Sequence, residues 1–425
     1  MARSTGPTPC LRLRATASPL VALPWREPLA AWSPQSAPVL DVALGASRHV
    51  VRVVQAGDRT WALKELPRWA AEREHAALEA MRRRGVPAVR PAGLVTADPG
   101  GNAVLITEYA CDSVLWRTLL ADLPDGGEVH RARVHEAVAV FLVDLHRRGV
   151  FWGDCSLSNL LFRRDGQVLQ PLLVDAETAE VRPSLTDGQR RHDLEILQDN
   201  LAAGLLDLAA ELHRPVDLEQ VVDEVRGVSA EYARLWEALH AEPTFPFVRR
   251  LDAVAEVGRL NELGYAVDEI QLTGVGDGGD EVRLHTVVAH RRHHATELQR
   301  LTGLQVGEGQ ATVLLGDLRS HRLARPAMSE PEVTRSWLEQ VLRPAVDRLR
   351  AAMPGPRDLV QDYCDLLEVR WLLSEQAGRD VGDEAAVGVL AAGGIPSGAA
   401  AELGHTRAWT VGRPSASTQE RRRTA

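Results

Sequence analysis

The stretch from Leu145 to Glu177, LHRRGVFWGDCSLSNLLFRRDGQVLQPLLVDAE, constrains this chain more than any other. A helix ends near Gly149, Asp154 falls in the loop after it, and Asn159 follows five residues on. Arg164-Asp165-Gly166 then turns a short hairpin whose second arm, Leu-Leu-Val, ends on Asp175. An amide and a carboxylate so placed are oxygen donors suited to magnesium beside phosphate, and a separate aspartate in the loop is suited to face an attacking hydroxyl.

A second feature is independent of any motif. Lys64 is the only lysine among the 49 Lys and Arg residues. High-GC codon drift converts every lysine that arginine can replace, so the survivor marks a place where a compact ammonium is needed. Lys64 lies in Trp-Ala-Leu-Lys-Glu, on the second strand of a pair expected at His49–Val54 and Thr60–Leu66 and turned by Gly57-Asp58. Pro67 starts a helix that runs to Arg84 and stops at Gly85. Of its two candidate acids, Glu74 shares a face with Ala70, Leu78 and Met81, whereas Glu72 lines up with Ala76, Glu79 and Arg83. Glu74 is therefore the expected partner of Lys64, against the simpler reading of a rim ion pair. Strands at Ala92–Thr96 and Ala103–Glu108, around the turn Asp98 to Asn102, complete a small antiparallel sheet.

These residues resemble the catalytic and metal-binding loops of the protein-kinase-like fold, and in particular its small bacterial branch similar to lipopolysaccharide kinases, where the loop begins Gly-Asp. The resemblance implies a two-lobed architecture in which Trp-Ala-Leu-Lys-Glu stands for the Val-Ala-Ile-Lys strand. It implies that Lys64 contacts phosphates, Asp154 acts on the acceptor hydroxyl, and Asn159 and Asp175 hold Mg²⁺. Backbone groups of Glu108 and Ala110, at the hinge Glu108-Tyr109-Ala110, meet the adenine edge. Asp193 resembles the helix aspartate that fixes the catalytic-loop backbone, with N-terminal helix charge as the alternative. The departures matter too: Trp152-Gly153-Asp154 replaces His-Arg-Asp, Asp175-Ala176-Glu177 replaces Asp-Phe-Gly, and no Ala-Pro-Glu follows. Regulation through a phosphorylated activation loop is not expected. Leu44 to His49 offers one glycine where protein kinases have three, and reads either as a phosphate-contacting turn or as an ordinary one. The implied activity is ATP- and Mg²⁺-dependent transfer of a phosphoryl group to a hydroxyl on a small molecule, a glycolipid or a protein. The alternative is a nucleotide-binding pseudokinase acting as a regulatory or interaction module.

The fold class expected is α+β: a kinase-like domain over 39–242, with lobes 39–110 and 111–242, followed by a smaller, mainly helical α+β domain over 247–392. Residues 1–38 read as a Pro-rich lead-in, partly disordered, and 393–425 as a disordered tail. The boundary is placed at Glu242-Pro243-Thr244-Phe245-Pro246. After it come a helix at Val248–Leu263, strands Ala266–Leu272 and Glu281–Val288, and helices Glu332–Ala352 and Leu359–Ala377. This order resembles an uncharacterised actinobacterial-type family that joins a lipopolysaccharide-kinase-like domain to a C-terminal domain of unknown function. His290, His293 and His294, with Arg291 and Arg292, form the densest polar cluster of the second part. His290 and His294 stand one helical turn apart, which leaves open a metal, a phosphate or acidic ligand, and a solvated helix face.

The formal net charge of −9 argues against general nucleic-acid binding. Cys10, Cys111, Cys155 and Cys364 have no paired spacing, which fits a reducing cytoplasm and neither a disulfide framework nor a zinc site. No apolar run approaches the roughly 20 residues of a membrane span. The Arg-rich first residues read as a frayed N-terminus and not as a targeting signal.

Overall fold

The computed structural model describes residues 9–42, 48–96, 101–123, 127–275, 280–355, 357–406 and 409, and they form an α+β protein. The N-terminal sheet contains β1 (Cys10–Leu13), β2 (Val39–Leu40), β3 (Val51–Ala56), β4 (Arg59–Pro67), β5 (Pro91–Thr96) and β6 (Asn102–Glu108). Their order is β1-β5-β6-β4-β3-β2, with every neighbouring pair antiparallel. Alternation along β4 sends Trp61 and Leu63 to one apolar cluster and Leu66 to another, and Lys64 shares the parity of Leu66. Against that face lies α1 (Arg68–Arg83), whose buried stripe is Ala70, Ala71, Glu74, Ala77, Leu78 and Met81.

The lead-in is a correction. Residues 1–8 lie outside the described residues, but the segment from Cys10 onward is ordered and extends the expected four-stranded sheet at both edges with β1 and β2. Trp25 and Trp32, with ring centroids 5.1 Å apart, are buried together with Leu20 and Leu29 against Trp61 and Ile106. The sheet's second face is apolar and has to be covered, and this segment covers it. Short 3₁₀ turns at Ala15–Ala22 and Leu29–Ala31 carry those residues, so neither helical nor strand periodicity announces them.

Next come β7 (Val114–Leu115), α2 (Trp116–Ala121), α3 (Glu128–Arg147), β8 (Val150–Phe151), β9 (Leu160–Asp165), β10 (Val168–Leu173), β11 (Glu180–Val181), α4 (Asp187–Glu211) and α5 (Leu218–His240). In α3 the spaced residues Val134, Val138, Phe141, Leu142 and Leu145 are all buried, as their periodicity requires. A capping box of Thr186 and Gln189 starts α4, and the Asp217 carboxylate caps α5. With α1, these elements share one continuous apolar core.

The C-terminal part consists of β12 (Thr244–Pro246), α6 (Asp252–Glu262), β13 (Tyr265–Val275), β14 (Glu281–Arg291), α7 (His293–Thr302), α8 (Glu308–Leu323), α9 (Glu330–Trp337), α10 (Arg343–Ala352), α11 (Leu359–Ala377), α12 (Gly382–Ala392) and α13 (Ala400–Leu403). Three expectations change here. The helix expected from Val248 begins at Asp252, after a 3₁₀ turn at Phe247–Arg249. The helix expected from Glu332 to Ala352 begins at Glu330 and is interrupted by a π-helical turn, Leu338–Leu342, just ahead of Pro344, whose missing N–H breaks the α ladder. The chain beyond Gly393, expected as a disordered tail, folds back in α13. Its Ala400 and Ala401 N–H groups donate to Glu368 at 2.9 and 3.0 Å, and Leu403 is buried. A second core, around Leu314, Trp337 and Tyr363, holds these helices together.

The two parts meet along α3, where Leu260 and Tyr265 join the first core and Arg147 donates to the Ala289 carbonyl at 3.1 Å, and at the β9–β10 hairpin tip. Asp165, 6% exposed, accepts from the Gly309 and Gln310 N–H groups of α8, both at 2.9 Å. Gly166 exchanges two hydrogen bonds of 2.8 Å with the Gln361 side chain, and Arg164 pairs with Asp365. Gly166 has φ +64°, and an added Cβ would come within 2.6 Å of the Gly309 carbonyl oxygen. Among the described residues no helix is long and apolar enough to cross a membrane.

Candidate active site

Three elements converge on the lone lysine. Lys64 leaves the middle of β4 between Val51 and Leu105, Glu74 rises from α1, and Asp175 follows the end of β10. The Lys64 ammonium donates to Glu74 Oε2 at 3.1 Å and to Asp175 Oδ2 at 2.7 Å. Glu74 is 1% exposed, and burial, then the charge of Asp175, push its carboxyl up to about 7 against the pull of Lys64 and the Ala176 N–H. Burial pulls Lys64 down, but the two carboxylates outweigh it and hold the ammonium above the ordinary lysine range. Glu72, the acid set aside on helical phase, pairs instead with Arg68 at 2.8 Å on the exposed side.

The loop after α3 is held by amides and by one buried carboxylate. Asn159 Nδ2 donates to the Asp154 carbonyl at 3.1 Å and to Asp154 Oδ2 at 2.9 Å. Asn200 Nδ2 donates to Asp154 Oδ1 at 3.2 Å and to the Cys155 carbonyl at 3.1 Å. Half-buried, the Asp154 carboxyl is raised first by burial and then by Asp175, while Asn159, Arg48 and Asn200 hold it down. Asp193 is fully buried and accepts from the Trp152 and Gly153 N–H groups at 2.7 and 2.8 Å, with His146 Nε2 at 3.1 Å. Gly153 takes φ +74°, a conformation that favours glycine immediately before the aspartate. Trp152 Nε1 donates to the Asp175 carbonyl at 3.1 Å, so the loop and the strand end are bonded to each other. Sequence reasoning missed Asn200, although a signal was present: it lies seven residues after Asp193, on the same face of α4.

At the segment expected as the hinge, the Glu108 and Tyr109 N–H groups donate to the Arg90 and Thr60 carbonyls, both at 2.9 Å. The Glu108 carboxylate pairs with Arg59 at 3.2 Å. Among the described residues the Ala110 N–H has no acceptor, while its carbonyl accepts from Ser113 Oγ at 2.6 Å. The single-glycine turn from Leu44 to Ser47 lies outside the described residues. Just beyond it, Arg48 and His49 approach Glu177 at 3.4 and 3.6 Å. Among the described residues no three His, Cys, Asp or Glu side chains gather as a metal site. The available donors are the Asp175 carboxylate and the Asn159 amide oxygen, which among the described residues accepts no hydrogen bond while its nitrogen is engaged. Both are hard oxygens, and Mg²⁺ accepts one or two protein ligands with phosphate and water completing its shell.

Residues 47–216 match the model of the lipopolysaccharide kinase (Kdo/WaaP) family, and residues 234–391 match a domain of unknown function, DUF4032. The chain carries a Kdo/WaaP-family domain followed by DUF4032. Lys64, Glu74, Glu108, Ala110, Asp154, Asn159, Asp175, Asp193 and Asn200 all fall within the Kdo/WaaP match. A solved structure, "WaaP in complex with acyl carrier protein", is 20% identical over 55% of this chain and 100% of that one, with a TM-score of 0.33, a superposition too loose to carry weight. No curated protein matches the chain.

The histidine cluster of DUF4032 does not form as its spacing suggests. His290 lies in β14, which continues through Arg291, so it does not share a helix with His294. His294 is buried at the start of α7, with Nδ1 2.8 Å from Glu308 Oε1, and the same carboxylate caps α7 through the His294 and Ala295 N–H groups. His293 approaches Glu297 at 3.9 Å.

Proposed function

We propose that the protein is an ATP- and Mg²⁺-dependent phosphotransferase that moves a phosphoryl group to a hydroxyl of a small molecule, a glycolipid or a protein. Membership of the Kdo/WaaP family supports a kinase-like phosphotransferase. The observation that carries the finer reading is the convergence of the lone lysine with Glu74 and Asp175, beside an aspartate held by two amides. The nucleotide lies between two lobes, 39–110 and 111–242, with its adenine edge against the Glu108 carbonyl and the Ala110 N–H. Lys64, its ammonium held by Glu74, orients the phosphates as a point charge. Asn159 and Asp175 would hold Mg²⁺, which when bound neutralises phosphate charge. Asp154 receives the proton of the acceptor hydroxyl, and burial, which raises its carboxyl, brings it nearer to that task. Asp193 keeps the Trp152-Gly153 backbone in place, so that the Asp154 side chain is presented at a fixed height.

The chain provides a clean test. An amine-directed acylating ATP mimic has only Lys64 and the N-terminal amine to label. Labelling of Lys64 is expected to be blocked by saturating Mg·ATP. Equal labelling with and without Mg·ATP removes the nucleotide from this cleft. Blocked labelling without phosphoryl transfer to any acceptor, or to water, leaves a nucleotide-binding pseudokinase.

A further inference from the structure

A cavity of about 550 Å³ lies at the seam between the Kdo/WaaP-family domain and DUF4032, and its lining includes none of Lys64, Asp154, Asn159 and Asp175. Its walls are the loop Val86–Arg90, the segment Glu108–Ala110, one side of α3 from Arg133 to Asp144, and residues of the β9–β10 hairpin. DUF4032 closes it with Arg291, Arg292, Ala295 and the chain from Val306 to Glu308. A volume of that size suits a small metabolite, for which pockets span roughly 300–1,000 Å³.

Charge decides what kind of metabolite. Six arginines line the cavity, Arg90, Arg133, Arg148, Arg163, Arg291 and Arg292, together with five acids. Four of those acids are already engaged. Asp165 takes the Gly309 and Gln310 N–H groups, and Glu308 takes those of His294 and Ala295. Asp144 accepts from the Tyr265 hydroxyl at 3.1 Å, and Glu108 pairs with Arg59. Two of the arginines are engaged as well, since Arg133 Nη1 donates to the Gly398 carbonyl at 2.9 Å and Arg291 Nε to the Leu263 carbonyl at 3.2 Å. The Arg148 side chain is 8% exposed and forms an ion pair with Asp144 Oδ2 at 3.4 Å, yet among the described residues its buried Nε and Nη1 donate no hydrogen bond. Arg163 Nε is likewise buried without an acceptor. Arg90 and Arg292 are exposed, and among the described residues their side chains have neither a hydrogen-bond nor an ion-pair partner, so both are free to turn toward a ligand while Arg148 and Arg163 carry the buried donors. Buried guanidinium donors without acceptors are costly, and an oxyanion is the group whose geometry satisfies them.

We propose that this cavity is a second ligand site, which binds a small molecule carrying a multiply charged oxyanion, a phosphate or a polycarboxylate, between Arg148 and Arg163 on one side and Arg292 on the other. It also gives DUF4032 a direct part in recognition, since the ligand is held from both sides of the seam. The position is coupled to the candidate active site by bonded backbone. The Leu173 N–H donates to the Pro87 carbonyl at 3.1 Å, and the Val89 N–H to the Leu173 carbonyl at 2.9 Å, so the cavity's loop grips the strand that delivers Asp175.

The test uses the full chain without nucleotide, in buffer freed of metal by passage over chelating resin, titrated calorimetrically with inorganic pyrophosphate and, in parallel, with citrate. At least one of the two is expected to saturate a single site per chain, and the pair distinguishes phosphate from carboxylate. Affinity should be unchanged in Lys64→Met and lowered about tenfold or more in Arg148→Gln and in Arg292→Gln, each of which removes a guanidinium contact. Arg292 is exposed, so its variant decides the matter if Arg148→Gln fails to fold. Hydrogen exchange should slow in Val86–Arg90 and Val168–Leu172 when the anion is bound. Absence of saturable binding by either anion overturns the proposal. So does binding indifferent to both arginine variants, and loss in Lys64→Met alone assigns the anion to the candidate active site instead.

Discussion

Replacing Asp165 by alanine removes the carboxylate that joins the β9–β10 hairpin to the N-terminus of α8. Two hydrogen bonds of 2.9 Å are lost, and the Gly309 and Gln310 N–H groups are left in a site where Asp165 itself is 6% exposed. Hydrogen bonds to a charged group contribute about 1.5–3 kcal/mol each, so the pair is worth roughly 3–6 kcal/mol before the carboxylate's own desolvation is counted. That desolvation is real, since burial raises the Asp165 carboxyl above its ordinary range despite the two donors. The net loss expected is about 2–4 kcal/mol, and about half of that for Asp165→Asn, which keeps one acceptor oxygen. Urea denaturation followed by both circular dichroism and tryptophan fluorescence measures it. Trp61, Trp116 and Trp152 report on one part, and the buried Trp337 on the other. Coincident transitions that move together to lower urea show that the hairpin couples the parts. A loss below about 0.5 kcal/mol, or a wild type whose two probes already melt apart, refutes the reasoning and shows that the C-terminal part, 247–392, folds by itself.

Lys64→Arg should fold but lose about 10²-fold or more in phosphoryl transfer, about 2.7 kcal/mol of transition-state stabilisation, because a planar fork cannot replace an ammonium lying 2.7 and 3.1 Å from two carboxylates; full activity in a transfer assay would contradict this. Asp154→Ala should abolish transfer while Mg·ATP still binds, whereas Asp175→Ala should weaken Mg·ATP binding itself, and calorimetry paired with single-turnover kinetics separates the two. The Glu74 carboxyl, raised to about 7, keeps its proton in the native state over a window in which the unfolded chain has lost it, so this group's contribution to stability falls as pH rises from about 4.5 through 7. Glu74→Gln should therefore gain stability relative to wild type between pH 5 and pH 8 in urea titrations, and a gap that narrows or reverses would show that Lys64 dominates the site.

Local patterns carried much of this protein. The 3.6-residue period of α1 separated Glu74 from Glu72, and Asn159, five residues after Asp154, closes their shared loop through its amide, because each of these depends on neighbours within one or two elements. The lone lysine was legible for a different reason, since composition alone marked it. What the sequence could not decide was anything that depends on which distant surface needs covering or which distant carboxylate is at hand. Trp25 and Trp32 look like a lead-in until the bare face of the sheet is present, and Ala400 to Leu403 look like tail until Glu368 meets their N–H groups. The one-turn spacing of His290 and His294 vanished because β13 pairs with β14 as far as Arg291, holding the chain extended past His290. The arginine-lined cavity has no linear signature at all. Its walls come from positions 85 to 308, and the imbalance that defines it arises because backbone N–H groups of α7 and α8 engage two of its acids while buried donors of Arg148 and Arg163 stay open.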